Sequence, residues 1–183
     1  YLINPDGTIG ERNPVFCNSI EHKMGIRGSA TCVMNFDNAK GYLLGNEHQG
    51  MRAMFDMMNL ERINIGLEGL ALAEISYQNA LAYAKDRLQG RSLSGIKHQE
   101  KSADPLLVHP DVRRMLLTMK AQNEGARALL GWLGLQIDIA AKHPDPVQQE
   151  KSENLIAFLT PVVKAYFTDY GFEACNLGLQ VLG

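Results

Sequence analysis

The stretch NLERINIG, residues 59 to 66, places a carboxylate among residues spaced for burial. Leu60, Ile63 and Leu67 recur at i, i+3 and i+7, the apolar face of a helix. Glu61 stands beside Leu60 with no nearby lysine to pair with. Desolvation penalises the charged form of an unpaired carboxylate near a core, so such a residue either sits on the wet side of its helix or serves proton transfer. The other chemistry-bearing types are less suggestive. The 5 histidines (His22, His48, His98, His109 and His143) are scattered without an HxxxH or ExxH pair. That spacing gives no zinc site and none of the ligand pairs a di-iron helical bundle requires. GIRG and GLEG lack the glycine spacing and lysine of a phosphate loop.

Glu61 must be positioned by the elements around it, and these change character near residue 46. Before it, NPDGTIGERNP is turn-rich, Ser29 to Asp37 partly alternates as a half-buried strand, and Gly41 to Leu44 reads as a second short strand. After it the pattern is helical. MRAMFDMM predicts a short helix and Leu60 to Leu88 a long one, stopped by Gly90. Residues 91 to 109 read as a long loop. A third helix is expected from Asp111 to about Lys142, and a fourth from Pro146, capped by Asp145, to about Tyr170. Pro161 is expected to kink or split it, and Gly171 to end it before a last helix from Phe172. The reading is mainly α: an up-and-down antiparallel helical bundle over residues 47 to 183, preceded at 1 to 46 by a short β remnant of another domain.

On the long helix Arg62, Gly66, Gly69, Ala73, Ser76 and Ala80 fall on one face. Two glycines inside a helix cost about 1 kcal/mol each against alanine, so the small face must serve close approach, by another helix or by a flat ligand. Met51, Met54, Met57 and Met58 make a flexible apolar cluster suited to core or interface packing. Trp132 is expected in the core.

With 18 basic and 20 acidic residues, and no Lys/Arg block, the composition excludes an electrostatic nucleic-acid binder. No apolar run is long enough to span a membrane. The 3 cysteines, without CxxC spacing, read as reduced thiols of a cytosol-like compartment. A chain that opens on Tyr1 and closes on the apolar LGLQVLG looks excised from something longer.

Four segments together resemble the acyl-CoA dehydrogenase family, at the junction of its middle β-domain and C-terminal helical domain. They are HKMGIRGS, LLGNEHQG, RINIGLEGLALAEISYQNALAYAKDR and GFEACNLGLQVLG, in the family's order. ERNPVFCNSIEHKMGIRGSATCVMNFD, LQGRSL and LTPVVKAY look most like the bacterial branch acting on short or methylthio-substituted acyl-CoA esters. The resemblance implies an FAD-dependent α,β-dehydrogenation of an acyl-CoA, electrons passed to an electron-transferring flavoprotein, a homodimer or homotetramer, and a cytoplasmic location.

The resemblance also assigns residues. Arg62 matches the arginine beside the acyl-CoA channel, and Asn59 stands where the family often has an aspartate contacting the CoA portion. Arg87 matches an arginine that reaches FAD phosphates of a neighbouring subunit, a task suited to a planar guanidinium. Gln89, Gly90 and Arg91 replace the family's aromatic-glycine pair beside it, and Pro110 stands where the next FAD-contacting glutamine belongs. Gln180, Val181, Leu182 and Gly183 match the stretch lying along the FAD adenylate. The usual glutamate base would lie beyond Gly183. In a minority of the family the base comes from the long helix just before the arginine, the position of Glu61. Three roles stay open for it: a solvated residue, a polar group supporting a base elsewhere, or the base itself. The different-class alternative is a non-catalytic helical assembly domain that binds no flavin; an acyl-CoA oxidase is a lesser variant.

Overall fold

The computed structural model describes all residues from Tyr1 to Gly183 and divides into two compact units, Tyr1–Met51 and Arg52–Gly183. The first holds a two-stranded antiparallel sheet, β1 (Val15–Ile20) against β2 (Cys32–Phe36). Val15 faces Phe36 and Ile20 faces Cys32, with a register irregularity between Cys17 and Ser19. The strand expected at 29–37 is present in its central part, whereas Gly41–Leu44 has no strand partner and is irregular. Strand β1 has no equivalent in the sequence reading, because VFCNSI mixes both residue classes without clean alternation.

The second unit is built on three long helices. They are α1 (Gly50–Asp86), α2 (Pro110–Lys142) and α3 (Pro146–Leu182), with a single 3-10 turn at Leu106–Val108 before α2. Helix α1 fuses the short and long helices expected separately. Asn59 between them is a weak helix former but no breaker, and its side-chain oxygen is taken up by Arg62. Helix α3 likewise runs unbroken through Pro161 and Gly171. Pro161 and Ala157, whose carbonyl loses its amide partner, are both exposed residues. Asp145 caps α3 as expected, its carboxylate accepting from the Val147 amide at 3.0 Å.

The helices run up, down and up, so α1 and α3 are parallel and α2 is antiparallel to both. Gly66 lies against Val163, Gly69 against Phe167 and Gly171, and Ser76 against Gly178. A Cβ built on Gly171 would stand 2.7 Å from the carbonyl oxygen of Gly69, and one built on Gly69 would collide with the Phe167 carbonyl. The small-residue face of α1 is therefore a helix–helix contact, and Gly171 serves that contact rather than ending a helix. Helix α2 closes the bundle: Leu133 and Ala126 pack with Leu70, Val163 and Phe167, while Met115 and Leu116 pack with Ala80, Ala84 and Val181. Trp132 is 42% exposed, contrary to expectation, because the buried face of α2 passes through its neighbour Leu133. Met51, Met54 and Met57 are exposed as well.

A polar chain crosses this core. The Tyr170 hydroxyl on α3 lies 2.8 Å from both the Met119 carbonyl and Asn123 Oδ1. Asn123 in turn donates to Glu74 on α1 at 3.0 Å, and Glu74 pairs with Arg127 at 3.0 Å. Burial, with Tyr166 and Glu74 nearby, pushes the Tyr170 phenol up to about 12, so it remains a donor.

Gly171→Ala is expected to lower stability by about 1–3 kcal/mol, the usual effect of overpacking against backbone that cannot yield. Gly125 is also inside a helix but has nothing within 4 Å of its would-be Cβ. Gly125→Ala should instead stabilise by roughly 0.5–1 kcal/mol through helix propensity. Urea unfolding of the two variants checks the opposite signs.

Candidate functional site

The residues around Glu61 form one local arrangement. Phe55, Asn59 and Arg62 recur at i, i+4 and i+7 on α1 and so share a face. The Arg62 guanidinium lies over the Phe55 ring, 5.5 Å from its centroid, and its Nη1 donates to Asn59 Oδ1 at 3.4 Å, the long end of hydrogen-bonding range. Both contacts restrain the arginine while leaving most of its donors free. Glu61 is exposed and forms no hydrogen bond or ion pair within the chain. The apolar residue beside it, Leu60, is 57% exposed, so the burial that made Glu61 conspicuous in the sequence does not occur in this chain.

Arg87, Gln89 and Gln180–Gly183 gather elsewhere. Ala80, Ala84 and Val181 share one cluster, which sets the C-terminal ends of α1 and α3 side by side. Arg87 follows the last residue of α1, exposed and without an ion pair. Gln180 and Leu182 are exposed on the last turn of α3, Val181 is buried, and Gly183 caps the helix with its amide on the Leu179 carbonyl at 3.1 Å. At 1.5 Å rise per residue, Glu61 and Arg87 are on the order of 40 Å apart along one helix. The structure thus joins Asn59 to Arg62, leaves the adjacent Glu61 without a partner, sets Arg87 and the end of α3 at one end of the bundle, and separates the two groups.

The connector between α1 and α2 is more ordered than a loop reading suggests, and a residue the sequence reading passed over organises it. Asp104 is fully buried. Its carboxylate accepts from the backbone amides of Ser92 (3.0 Å), Lys97 (3.1 Å) and His98 (2.8 Å), with Arg91 Nη1 at 3.5 Å. Arg91 spans the same turn by donating to the carbonyls of His98 and Lys101, at 3.0 and 2.6 Å. The Ser92 amide, ahead of the opposing desolvation and the other donors, holds the Asp104 carboxyl below the usual carboxylate range. Gln89 is held by its backbone, not its side chain. Its amide donates to the Asp104 carbonyl at 2.9 Å, and its carbonyl lies 2.7 Å from His109 Nε2. Its exposed side chain stays free. Only Pro105, with its fixed φ, marked the spot in sequence; a lone Asp before Pro is otherwise an ordinary turn.

The family model of the acyl-CoA dehydrogenase C-terminal domain matches residues 48–183. The chain belongs to the acyl-CoA dehydrogenase family. A 3-methylmercaptopropionyl-CoA dehydrogenase from Ruegeria pomeroyi is 44% identical over 100% of this chain and 30% of its own length. A butyryl-CoA dehydrogenase from Syntrophomonas wolfei is 38% identical over 100% of the chain and 31% of its length. A broad-specificity linear acyl-CoA dehydrogenase from Mycobacterium tuberculosis is 37% identical over 97% and 30%. The chain therefore spans less than a third of these relatives. A probable acyl-CoA dehydrogenase from Mycobacterium abscessus shares the fold, with a TM-score of 0.63 at 22% identity over 93% of this chain and 40% of that one. The butyryl-CoA dehydrogenase of Megasphaera elsdenii does so with a TM-score of 0.58 at 20% identity over 94% and 45%. The fold expected from the sequence, the family's C-terminal helical domain, is the one observed.

Asp104→Asn replaces an acceptor of backbone amides with a group that also presents donors to them. The melting temperature should fall at neutral pH. Because the folded carboxyl titrates below its ordinary value of 3.8, its stabilisation is complete above that pH and disappears as pH falls through the folded value. The gap between wild type and variant should accordingly narrow in acid below about pH 4, which melting curves across pH would show.

Proposed function

We propose that the protein carrying this chain is an FAD-dependent dehydrogenase that introduces an α,β double bond into an acyl-CoA thioester and passes the electrons to an electron-transferring flavoprotein. The observation that carries this reading is the family match across residues 48–183. The names of the relatives, 3-methylmercaptopropionyl-CoA and butyryl-CoA dehydrogenases, support a short or methylthio-substituted acyl chain. The bacterial sources of those relatives support a cytoplasmic enzyme.

In this reading Arg62, restrained by Asn59 and Phe55, orients the substrate, and Glu61 is a polar group supporting a base supplied from elsewhere. The flavin, when bound, supplies the hydride acceptor. Arg87 and Gln180 fit a cofactor phosphate and adenylate: one is an exposed guanidinium with no competing carboxylate, the other a free amide, and both lie at one end of the bundle. Their distance from Glu61 supports a homodimer or homotetramer in which each chain lends its cofactor-side residues to a neighbour.

A second reading is that the chain by itself is an assembly domain without flavin. Leu67, Ile75, Phe158 and Phe172, exposed at 52, 52, 70 and 80%, favour it. The purified chain is expected to show no flavin absorption; a bound yellow cofactor would remove this second reading. In the full-length protein, anaerobic butyryl-CoA should bleach the flavin, with reoxidation faster by electron-transferring flavoprotein than by air. The reverse order would make the enzyme an oxidase, and a flavin-free protein would overturn the proposal. Glu61→Gln should slow bleaching by less than about tenfold, whereas a general base is worth roughly 10²–10⁴-fold, so a loss of that size would make Glu61 the base.

A further inference from the structure

A groove of about 630 Å³ opens between α1, α2 and the connector, within the size range of small-molecule sites and apart from the Asn59–Arg62 group. Tyr77 and Leu81 reach it from α1, Arg113, Leu116 and Lys120 from α2, and Lys97 from the connector. We propose that this groove binds a small amphipathic anion, an aliphatic body carrying a single carboxylate or phosphate.

The charge pattern is the first argument. Acidic residues outnumber basic ones in the chain, 20 to 18, yet three cations and no Asp or Glu line this groove. Neither Arg113 nor Lys97 makes an ion pair through its side chain. Lys120 has only Glu124, at 3.6 Å and well exposed, a pairing worth little in water. Cations gathered over low-dielectric walls without counter-charges concentrate a positive potential there.

Placement is the second argument. Arg113, Leu116 and Lys120 recur at i, i+3 and i+7 on α2, so one face presents a cation at each end of an apolar step. Leu116 is 4% exposed and forms the floor with Leu81. The third cation is carried by the connector and fixed by its fold, since the Lys97 backbone amide donates to the buried Asp104 carboxylate. Tyr77, whose hydroxyl has no hydrogen-bond partner in the chain, also lines the groove. An apolar floor bordered by cations, two of them without an ion pair, takes an apolar body with an anionic head. Tyr77 stands roughly 22 Å along α1 from Arg62, and neither Arg87 nor Gln180 lines the groove, so the inference uses none of the residues given a role in the dehydrogenase reading.

Titration calorimetry of the chain with octyl phosphate and with octanoate, below their micellar concentrations, tests this. Saturable one-to-one binding of at least one head group is expected, weakening with added salt. Octanol, the neutral counterpart, should bind at least about tenfold more weakly, as should either anion to Lys97→Glu/Arg113→Glu, the loss expected for a charge-assisted contact. Both substitutions are at exposed positions, and an unchanged melting curve certifies the fold. Should the double variant melt early, Arg113→Gln is read in its place. No saturable binding at millimolar ligand, equal affinity for octanol, or affinity unaltered in the charge variants would each overturn the proposal.

Discussion

Where α1 and α3 cross, the carbonyl of Gly69 occupies the space that a side chain on Gly171 would need. Two parallel helices therefore meet backbone to backbone, closer than any pair bearing side chains at the crossing could. Parallel neighbours cannot be joined by a short turn, and α2 is the return path that makes the arrangement possible. Its position follows from the crossing. With α1 and α3 drawn together, Val163 and Phe167 are pressed toward the side where Leu70, Ala126 and Leu133 enclose them. Full burial of a side chain such as Phe167 is worth about 1.5–3 kcal/mol, which offsets the propensity cost of the glycines that permit it.

The polar chain from Tyr170 through Asn123 to Glu74 depends on the same spacing. Each of the three helices contributes one member, and each link is 3.0 Å or shorter. A slip of one residue in α1 or α3 would leave a buried phenol or amide without its partner, which costs more than a bond contributes when made. Apolar packing brings the helices together with some tolerance. The hydrogen-bonded chain accepts a single register, and so fixes where the ends of α1 and α3 fall relative to one another.

Much of this was readable in the residues, and the exceptions have physical causes. The boundaries of α2 and the Asp145 cap were legible because Pro110, Pro146 and Asp145 act locally, through a fixed φ, a missing amide and a side-chain acceptor. The small face of α1 was visible as a pattern, though its partner was not, since Gly171 reads equally as a helix stop. Continuity through Pro161 was illegible because a mid-helix proline loses one hydrogen bond and crowds the carbonyl four residues back, and whether packing outweighs that cost is a property of the bundle. Asp104 was invisible for a related reason: the amides it accepts come from positions 6 to 12 residues away, brought in by turns. Matches to family segments single out Asn59, Glu61, Arg62, Arg87 and Gln180 as the residues proposed for the site. Its geometry was not legible. Spacing along a chain gives no sign of which groups share an end of the bundle.

That geometry carries an argument of its own. Parallel packing of α1 and α3 puts their C-terminal ends together, so Arg87 and Gln180, 93 positions apart in the numbering, lie at one end of the bundle. The same rigidity prevents Arg87 from approaching Arg62, although they are close in sequence. A 37-residue helix packed from Gly66 to Ala84, by backbone contact at Gly69 and a buried hydrogen-bonded chain, cannot fold back on itself. Under the roles proposed for these residues, one chain presents two half-sites at opposite ends of a strut, each completed by something outside the bundle. Assembly then becomes a condition of the chemistry, and the glycines that stiffen the strut act on the reaction by holding the half-sites at a fixed separation.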